Sequence, residues 1–437
     1  MQSDNKFKII LMAVFGFFVI AGLLAFSTFR SSNTSSSQPT IAIWGTVDKT
    51  AFDNFVGKYE QDSGSQFKYS YTEYPLASID QAIVEGIATG KGPDAILIPQ
   101  ELIGRYLDKV SLIPFSSLSE RTFLDTYIQE ADLYIQPGGI FAIPFYVDPL
   151  VMYWNKDIFT NAEIAAPPAS WSQFPVLAGK LTQTDNNGNI TQSIAPLGGY
   201  ANIDNAKAIL SSLIMQAGGS IVSEDGTTGK LSSDLYQKPA NAALIPAVAA
   251  LTFYTDYSNP RKSVYSWNSS LPDSKEDFLA GNLAMYFGFA SEALDIAAKN
   301  PNLSFDVAEM PQTVDAANSS APKATFGELY GFAFLKSSPN TAAAVSLVST
   351  LTSAPAVADF LGFVSGAPAR TDMISAGVSD PKQQVFYDSA VIARGFIDPD
   401  MAATGQIFQS MVGDVTSGSL DADGAVQKAS GKLTSIL

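Results

Sequence analysis

The chain has 437 residues, and its 42 Asp and Glu outnumber its 26 Lys and Arg, which gives a net charge of −16. This balance excludes a nucleic-acid partner, because phosphate contacts require clustered Lys and Arg. The sequence has no histidine and no cysteine. A Ser-His-Asp triad, a thiolate nucleophile and the usual zinc ligands are therefore absent, and we expect no catalytic residue, metal or cofactor.

The first forty residues differ from the rest of the chain. Lys6 and Lys8 precede an uncharged apolar run, and residues 9–29 have the length of a membrane span. The positive-inside tendency predicts that residues 1–8 are cytoplasmic and that the bulk of the chain lies outside the membrane. A cleaved signal peptide with a secreted or periplasmic product is the alternative. Residues 30–39 are Ser-rich and predict a flexible linker.

Five elements follow the linker, and apolar residues in them alternate between strand and helix spacing. We expect strands and helices in turn at residues 41–44, 52–59, 67–71, 79–87 and 95–98. Repeated strand-helix-strand units predict an α/β fold with a parallel sheet and helices on both faces. The length favours two lobes over a single core.

A second feature is an interrupted apolar stretch in the first half of the chain. Residues 141–147 and 150–154 resemble strands, but Asp148 and Pro149 separate them. A proline cannot donate to a sheet ladder, and a carboxylate is costly inside a buried strand. The interruption predicts that the chain changes sheets here, at a crossing between lobes where ligand clefts occur.

The later part of the chain contains further helices and strands. We expect helices at 204–217 and 240–254, and a strand, a helix and a strand at 283–287, 291–299 and 305–307. The strand predicted at 330–335 is followed by a helix that opens at Ser338 and Pro339.

Aromatic side chains at strand ends are candidates for ligand contact. They are Trp44, Tyr146, Trp267, Phe289 and Tyr330, and each lies beside a Gly, Asp, Asn or Glu. Flat faces next to hydrogen-bonding groups suit sugars and similar neutral solutes. Packing in the core is the alternative for each of them.

Carboxylates at predicted strand ends offer a different chemistry. Asp94, Asp148 and Glu328 lie at such positions, and two of them could form the carboxylate pair of a glycosidase, which needs no histidine. A turn or helix-cap role is the alternative for Asp148. The sequence leaves binding and hydrolysis both open.

Several segments occur together in an order that is typical of one family. Ile143–Asp148 (IPFYVD) and Tyr153–Phe159 (YWNKDIF) are the most specific, and weaker matches are Gly92–Asp94, Pro167–Trp171, Phe278–Met285 and Pro368–Arg370. In these segments the chain resembles the bacterial extracellular solute-binding proteins of ABC importers, specifically family 1, which includes maltose- and oligosaccharide-binding proteins. The resemblance covers roughly residues 40 to 430.

The resemblance implies a two-lobed periplasmic-binding-protein fold, type II-like, preceded here by an N-terminal transmembrane helix. The N-terminal lobe would comprise 40–147 and about 331–380, and the C-terminal lobe 148–330 and about 381–437. Val147–Leu150 and Glu328–Gly331 would be hinge segments.

The resemblance also implies the site and the partners. Ligand contacts are expected from Trp44, Asp48, Asp94, Phe289 and Arg370, in addition to the aromatic and acidic candidates above. The ligand would be a small solute, preferably a carbohydrate, that a monomeric receptor hands to the permease of an ABC importer. A surface glycosidase and a sensor or adhesion module are the alternative functions.

Overall fold

The computed structural model describes residues 39–64, 68–240, 242–313 and 322–437. The strands are β1 (Ile41–Gly45), β2 (Tyr69–Glu73), β3 (Ala95–Pro99), β4 (Ile135–Gln136), β5 (Gly139–Ile140), β6 (Ile143–Asn155), β7 (Gln183–Thr184), β8 (Ile190–Gln192), β9 (Val222–Glu224), β10 (Leu231–Ser233), β11 (Met285–Phe289), β12 (Phe305–Ala308), β13 (Thr325–Phe334), β14 (Ala367–Pro368) and β15 (Ala393–Arg394).

Helices surround these strands. The α-helices are α1 (Lys49–Ser63), α2 (Leu76–Thr89), α3 (Ile103–Tyr106), α4 (Glu120–Thr126), α5 (Lys156–Asn161), α6 (Phe174–Leu181), α7 (Ala206–Gln216), α8 (Pro246–Asp256), α9 (Ser274–Leu279), α10 (Glu292–Lys299), α11 (Thr341–Leu351), α12 (Ala354–Phe360), α13 (Thr371–Ala376), α14 (Pro381–Val391), α15 (Met401–Thr416) and α16 (Ala422–Thr434). Short 3₁₀ helices cover Gln100–Leu102, Gln129–Tyr134 and Trp171–Gln173.

The main sheet has the strand order β11-β6-β13-β3-β1-β2. β1 pairs in parallel with β2 and β3, as the alternation of strands and helices predicts. β13 is antiparallel to β3 and to β6, and β6 is antiparallel to β11. The sheet is therefore mixed, and the prediction of a parallel sheet is confirmed for its first three strands only.

The predicted interruption at Asp148 and Pro149 is not a break in the strand. β6 runs without a gap for 13 residues, but its partners change at this point. Its first half pairs with β13 and β14, and its second half pairs with β11 and β12. Pro149 has no N–H to donate to the ladder, but its carbonyl still accepts a hydrogen bond from the Ala290 N–H (3.0 Å). β6 therefore changes its partners within one sheet, and the expected gap between two strands was wrong, while a crossing between lobes stays a prediction.

Two helices begin later than their apolar spacing predicts. α7 begins at Ala206, and Asp204 does not cap it, because its carboxylate instead accepts hydrogen bonds from Ser274 Oγ (2.9 Å) and the Lys275 N–H (2.8 Å). α8 begins at Pro246 instead of residue 240. Proline lacks an N–H and fits only the first turn of a helix, so the helix starts at this residue.

Aromatic packing holds α1 against the sheet. The ring centroid of Phe55 lies 5.9 Å from that of Phe145 in β6 and 5.5 Å from that of Phe360 in α12. All three side chains are fully buried. Residues from three distant parts of the sequence therefore form one core cluster around the first half of β6.

No single helix in the described part of the chain has both the length and the apolar character of a membrane span. α11 and α12 reach that composition only as a pair, and their axes are bent by 72°. The predicted anchor at residues 9–29, the cytoplasmic segment before it and nearly all of the Ser-rich linker lie outside the described residues.

Asp94 precedes β3 and joins three segments of the chain. Its carboxylate accepts hydrogen bonds from the Ala42 N–H (2.9 Å), Ser338 Oγ (2.6 Å) and Asn340 Nδ2 (3.2 Å). The side chain is 5% exposed. Asp94 therefore ties β1 to the start of α11.

We expect Asp94→Ala to lower the free energy of unfolding by about 3 kcal/mol, because it leaves buried donors without an acceptor. Urea unfolding followed by circular dichroism measures this. Asp62→Ala is the matched control, since Asp62 forms an exposed pair with Lys58 (2.8 Å) and its loss should cost under about 1 kcal/mol. Equal losses in the two variants would contradict a structural role for Asp94.

Candidate functional site

The pairing of β6 with β13 brings four of the predicted residues together. Tyr330 lies directly opposite Tyr146, and Glu328 lies directly opposite Asp148. Residues two apart on a strand point to the same face, so two tyrosines and two carboxyl groups share one face of the sheet. We call these four residues the hinge-strand quartet.

The two tyrosines of the quartet stack on each other. Their ring centroids are 4.6 Å apart and their planes differ by 11°. Tyr146 is 7% exposed, whereas Tyr330 is half-buried. Burial raises the pKa of both phenols well above its ordinary value of 10.0, and the nearby carboxyl groups raise it further. Both rings are therefore neutral hydrogen-bonding groups at any physiological pH.

Asp148 is buried at the start of α10. Its carboxylate accepts a hydrogen bond from the Ser291 N–H (2.9 Å), and the side chain is 4% exposed. Burial raises the pKa of Asp148 to about 7, against the hydrogen bonds from Ser291, which favour the charged form. The group therefore changes its protonation state near neutral pH.

Glu328 accepts a longer hydrogen bond than Asp148 does. Its Oε2 accepts a hydrogen bond from the Tyr330 hydroxyl (3.1 Å). Burial raises the pKa of Glu328 well above its ordinary value of 4.5, and the charges of Glu101 and Asp148 raise it further. The side chain is surrounded by protein but keeps partial contact with solvent. A carboxyl group whose pKa is raised in this way keeps its proton to a higher pH, and in its protonated form it can donate as well as accept a hydrogen bond.

An ion cluster near Glu328 contains Lys207, whose positive charge lowers the pKa of Glu328. Lys207 in α7 lies 2.7 Å from Glu101 Oε1 and 2.6 Å from Asp398 Oδ2, and its ammonium is 5.5 Å from the centroid of the Phe396 ring. Burial lowers the pKa of Lys207, but the two carboxylates more than offset this and raise it. Lys207 is thus charged and fully occupied by its own partners.

The sequence did not single out Lys207, Glu101 or Asp398. Glu101 lies just past the carboxyl end of β3, where a ligand group is expected in an α/β sheet, so its position was a usable signal. Lys207 and Asp398 carry no such signal, because 106 and 297 residues separate them from Glu101. Only the folded chain brings them together.

Four other predicted site residues form hydrogen bonds or ion pairs within the chain. Asp94 is enclosed at the amino end of β3, the end opposite to Glu101. Trp267 is fully buried and donates its Nε1–H to Asn202 Oδ1 (3.2 Å). Asp48 caps α1 by accepting from the Ala51 N–H (2.7 Å). Arg370 forms a two-point pair with the Asp372 carboxylate (3.0 and 2.7 Å).

These contacts use the polar atoms of Asp94 and Trp267, so neither side chain presents a free group to a solute in the described structure. Asp48 is exposed and remains a predicted contact, as does Arg370.

Two predicted aromatics keep partial exposure. Trp44 packs on Tyr74 at a centroid distance of 5.0 Å, and its ring lies against Gly86 of α2, where a Cβ would be 2.8 Å away. Phe289 ends β11, with its ring 6.3 Å from Phe326. A ligand contact by either residue remains a prediction.

Two cavities in the described structure lie away from the hinge-strand quartet. One of about 290 Å³ is lined by residues that include Ile221, Lys323 and Arg394, and one of about 330 Å³ is lined by residues that include Leu294, Phe305 and Phe386. No member of the quartet lines either cavity. The described residues contain no group of three or more Asp or Glu placed to hold a metal ion.

Comparison with known proteins identifies the family. The sequence model of the family described as bacterial extracellular solute-binding protein matches residues 44–358. The chain belongs to this family. Its family is that of extracellular proteins that bind solutes.

Solved structures share the fold over nearly the whole described chain. A cyclo/maltodextrin-binding protein complexed with maltotetraose matches with a TM-score of 0.71 and 15% identity, covering 92% of this chain and 98% of the other. An ABC transporter solute-binding protein from Thermotoga lettingae TMO, bound with α-D-tagatose, matches with a TM-score of 0.65 and 20% identity, covering 92% and 100%. At these identities the likeness shows the fold alone.

Sequence relatives match over a shorter part of the chain. Binding proteins from Brucella abortus (strain 2308) and Brucella suis biovar 1 (strain 1330) are 20% identical over 167 residues, which is 37% of this chain. The matched part spans 40% of the length of these relatives.

We expect Lys207→Met to lower the free energy of unfolding by about 3–5 kcal/mol, because it leaves two buried carboxylates without their cation. Lys428→Met is the control, since Lys428 is half-exposed beside Asp414 (2.7 Å) and its loss should cost about 1 kcal/mol or less. Urea unfolding at neutral pH measures both. A Lys207→Met variant as stable as the control would show that the cluster does not need its cation.

Proposed function

We propose that this chain captures a carbohydrate between two lobes and delivers it to the permease of an ABC importer. The observation that carries the proposal is the hinge-strand quartet, which places two stacked aromatic rings beside two carboxyl groups on one face. Aromatic faces pack against the apolar faces of a sugar ring, and carboxyl groups bond to its hydroxyls. Family membership supports a binding role, and the two solved structures with the same fold have sugars in their descriptions.

We propose that β6 and β13 act as the hinge between the lobes. The N-terminal lobe comprises 40–147 and about 331–380, and the C-terminal lobe comprises 148–330 and about 381–437. The exchange of β6 partners at Asp148 and Pro149 supports this division. A solute that contacts both lobes binds the closed form more tightly, and this difference in affinity drives closure.

We propose further that residues 9–29 anchor the chain in the membrane and that residues 30–39 form the tether. The apolar length of the segment and the lysines before it support this arrangement. The anchor takes the place of a lipid on cysteine, because the chain has no cysteine. The tethered receptor acts as a monomer beside its permease.

Binding without chemistry is the function we favour over hydrolysis. Asp148 and Glu328 are opposite each other, but burial holds the pKa of each above its ordinary value, to about 7 for Asp148. A retaining glycosidase needs one carboxylate that stays ionised as the nucleophile. Incubation with maltotetraose should therefore give a complex and no shorter sugars, and product analysis by chromatography tests this.

We expect Tyr330→Ala to weaken sugar binding at least about tenfold, which is about 1.4 kcal/mol, because it removes the exposed ring of the stack. The measurement is titration calorimetry of the full chain in detergent, with whichever of maltotetraose or tagatose raises the melting temperature of the parent protein. Trp267→Phe is the control, because the buried Trp267 should affect stability and not affinity. Unchanged affinity in Tyr330→Ala would rule out the quartet as the binding surface.

A second candidate ligand is a solute that carries a protonated amine. Among the described residues, Lys207 pairs with Glu101 and Asp398 and its charge acts on Glu328, whereas no cation is recorded to act on Asp148. Carboxylates and aromatic faces together suit an ammonium group. Amino sugars combine both kinds of recognition.

Glucosamine and glucose form a matched pair that separates the two candidates. If the amine contributes, glucosamine should raise the melting temperature of the full chain more than glucose, because a ligand of the native state stabilises it by mass action. Glu328→Gln should then abolish the difference, since the amide cannot ionise. Equal shifts with both sugars would leave the neutral carbohydrate as the ligand class.

A further inference from the structure

The 3₁₀ helix before β4 buries a carboxyl group for which the described structure shows no partner. Glu130 is 2% exposed, and neither of its side-chain oxygens makes a hydrogen bond. A buried polar group without a partner costs free energy, and an ionised one costs far more. A residue kept under such conditions needs an explanation beyond packing.

Glu130 lies between Gly327, which is in β13, and Gly395, which follows β15. A Cβ on Gly395 would be 2.9 Å from Glu130 Oε1, and a Cβ on Gly327 would collide with Oε2. Gly327 pairs with Pro149 in the proposed hinge. Gly395 directly follows β15, which pairs in parallel with the start of β13 through Thr325 and Phe326. The carboxyl group thus fills the space where β13 meets the segment after β15.

Glu130 accepts no hydrogen bond from the nearby Arg394 in the described structure. The Arg394 guanidinium donates to the Ala393 carbonyl (2.6 Å), the Val391 carbonyl (3.4 Å) and Gln129 Oε1. The other charged or titratable groups on the described elements around Glu130 are Glu101 after β3, Glu328 and Tyr330 on β13, Glu120, Arg121 and Asp125 on α4, and Asp132 and Tyr134 on its own helix. Burial raises the pKa of Glu130 to about 8, Arg394 lowers it and Glu101 raises it.

We propose that the protonation state of Glu130 controls the hinge. While Glu130 is protonated, β13 stays packed against the segment after β15, and when Glu130 is ionised, that contact is released. An ionised carboxylate here must reach water or draw Arg394 out of its present bonds. Either change separates Gly327 from Gly395, and so loosens β13 next to the quartet. The protonation of Glu130 thus makes the opening of the two lobes depend on external pH.

The direction of the effect follows from proton linkage. We assign the described structure to the closed form, and in it burial raises the pKa of Glu130 from its ordinary value of 4.5 to about 8. In an opened form that admits water, its pKa returns toward the ordinary value. The closed form therefore binds more protons over this interval, and rising pH shifts the population to the open form until the closed-state pKa is passed.

The absence of cysteine permits a direct measurement, since two introduced cysteines are the only labelling sites. Lys91→Cys and Lys180→Cys place fluorophores on exposed positions in the two proposed lobes. Energy transfer in the labelled full chain, in detergent, is followed from about pH 5 to about pH 9.5. We expect transfer to fall as the pH rises, with most of the fall complete by about pH 8 to 9.

Variants distinguish Glu130 from other titrating groups. Glu130→Gln keeps the shape of the side chain and cannot ionise, so its transfer should stay constant at the closed value across the range. Asp132→Asn removes an exposed carboxyl group from the same helix and should retain the parent profile. A parent protein whose transfer does not change with pH would overturn the proposal without any variant, and so would a Glu130→Gln profile that matches the parent.

Discussion

The antiparallel pairing of β6 with β13 is the constraint on which the rest of the structure depends. Its register places Tyr146 opposite Tyr330 and Asp148 opposite Glu328. A slip by one residue would move one side of each pair to the other face of the sheet. The register is supported where Tyr134 donates to the Leu329 carbonyl (2.8 Å) and packs so close to Gly331 that a Cβ there would be 2.6 Å from its ring.

This register creates an electrostatic conflict at the centre of the molecule. Like charges directly opposite on neighbouring strands repel, and burial adds the cost of desolvation. Asp148 has a backbone donor at the start of α10, whereas Glu328 has a single phenol. Lys207 is committed to two other carboxylates. A fold that retains such a group at its crossing strands gives up stability there, which is the usual mark of a functional surface.

The sequence predicted the strands and helices of this region well, but it predicted less well which of them pack against each other. The apolar stretches around Asp148 and Pro149 indicated a crossing, because a proline and a carboxylate conflict with an ordinary buried strand. The same reasoning treated Asp94 and Glu328 alike as acids at strand ends. It could not tell that Asp94 is enclosed by three donors, because two of them, on Ser338 and Asn340, lie 244 and 246 residues away in sequence.

Aromatic candidates show the same limit. Trp267 and Tyr330 have similar polar neighbours in sequence, yet Trp267 is fully buried and Tyr330 is half-exposed beside a carboxyl group. The sequence alone determined the alternation of strands and helices, the unusual point in β6 at Asp148 and the motifs of a solute-binding protein, since these depend on residues close together in the chain. The tertiary structure decided the β6–β13 register, the Lys207 cluster and the unpartnered Glu130, because each joins residues whose separation in sequence leaves no periodic signal.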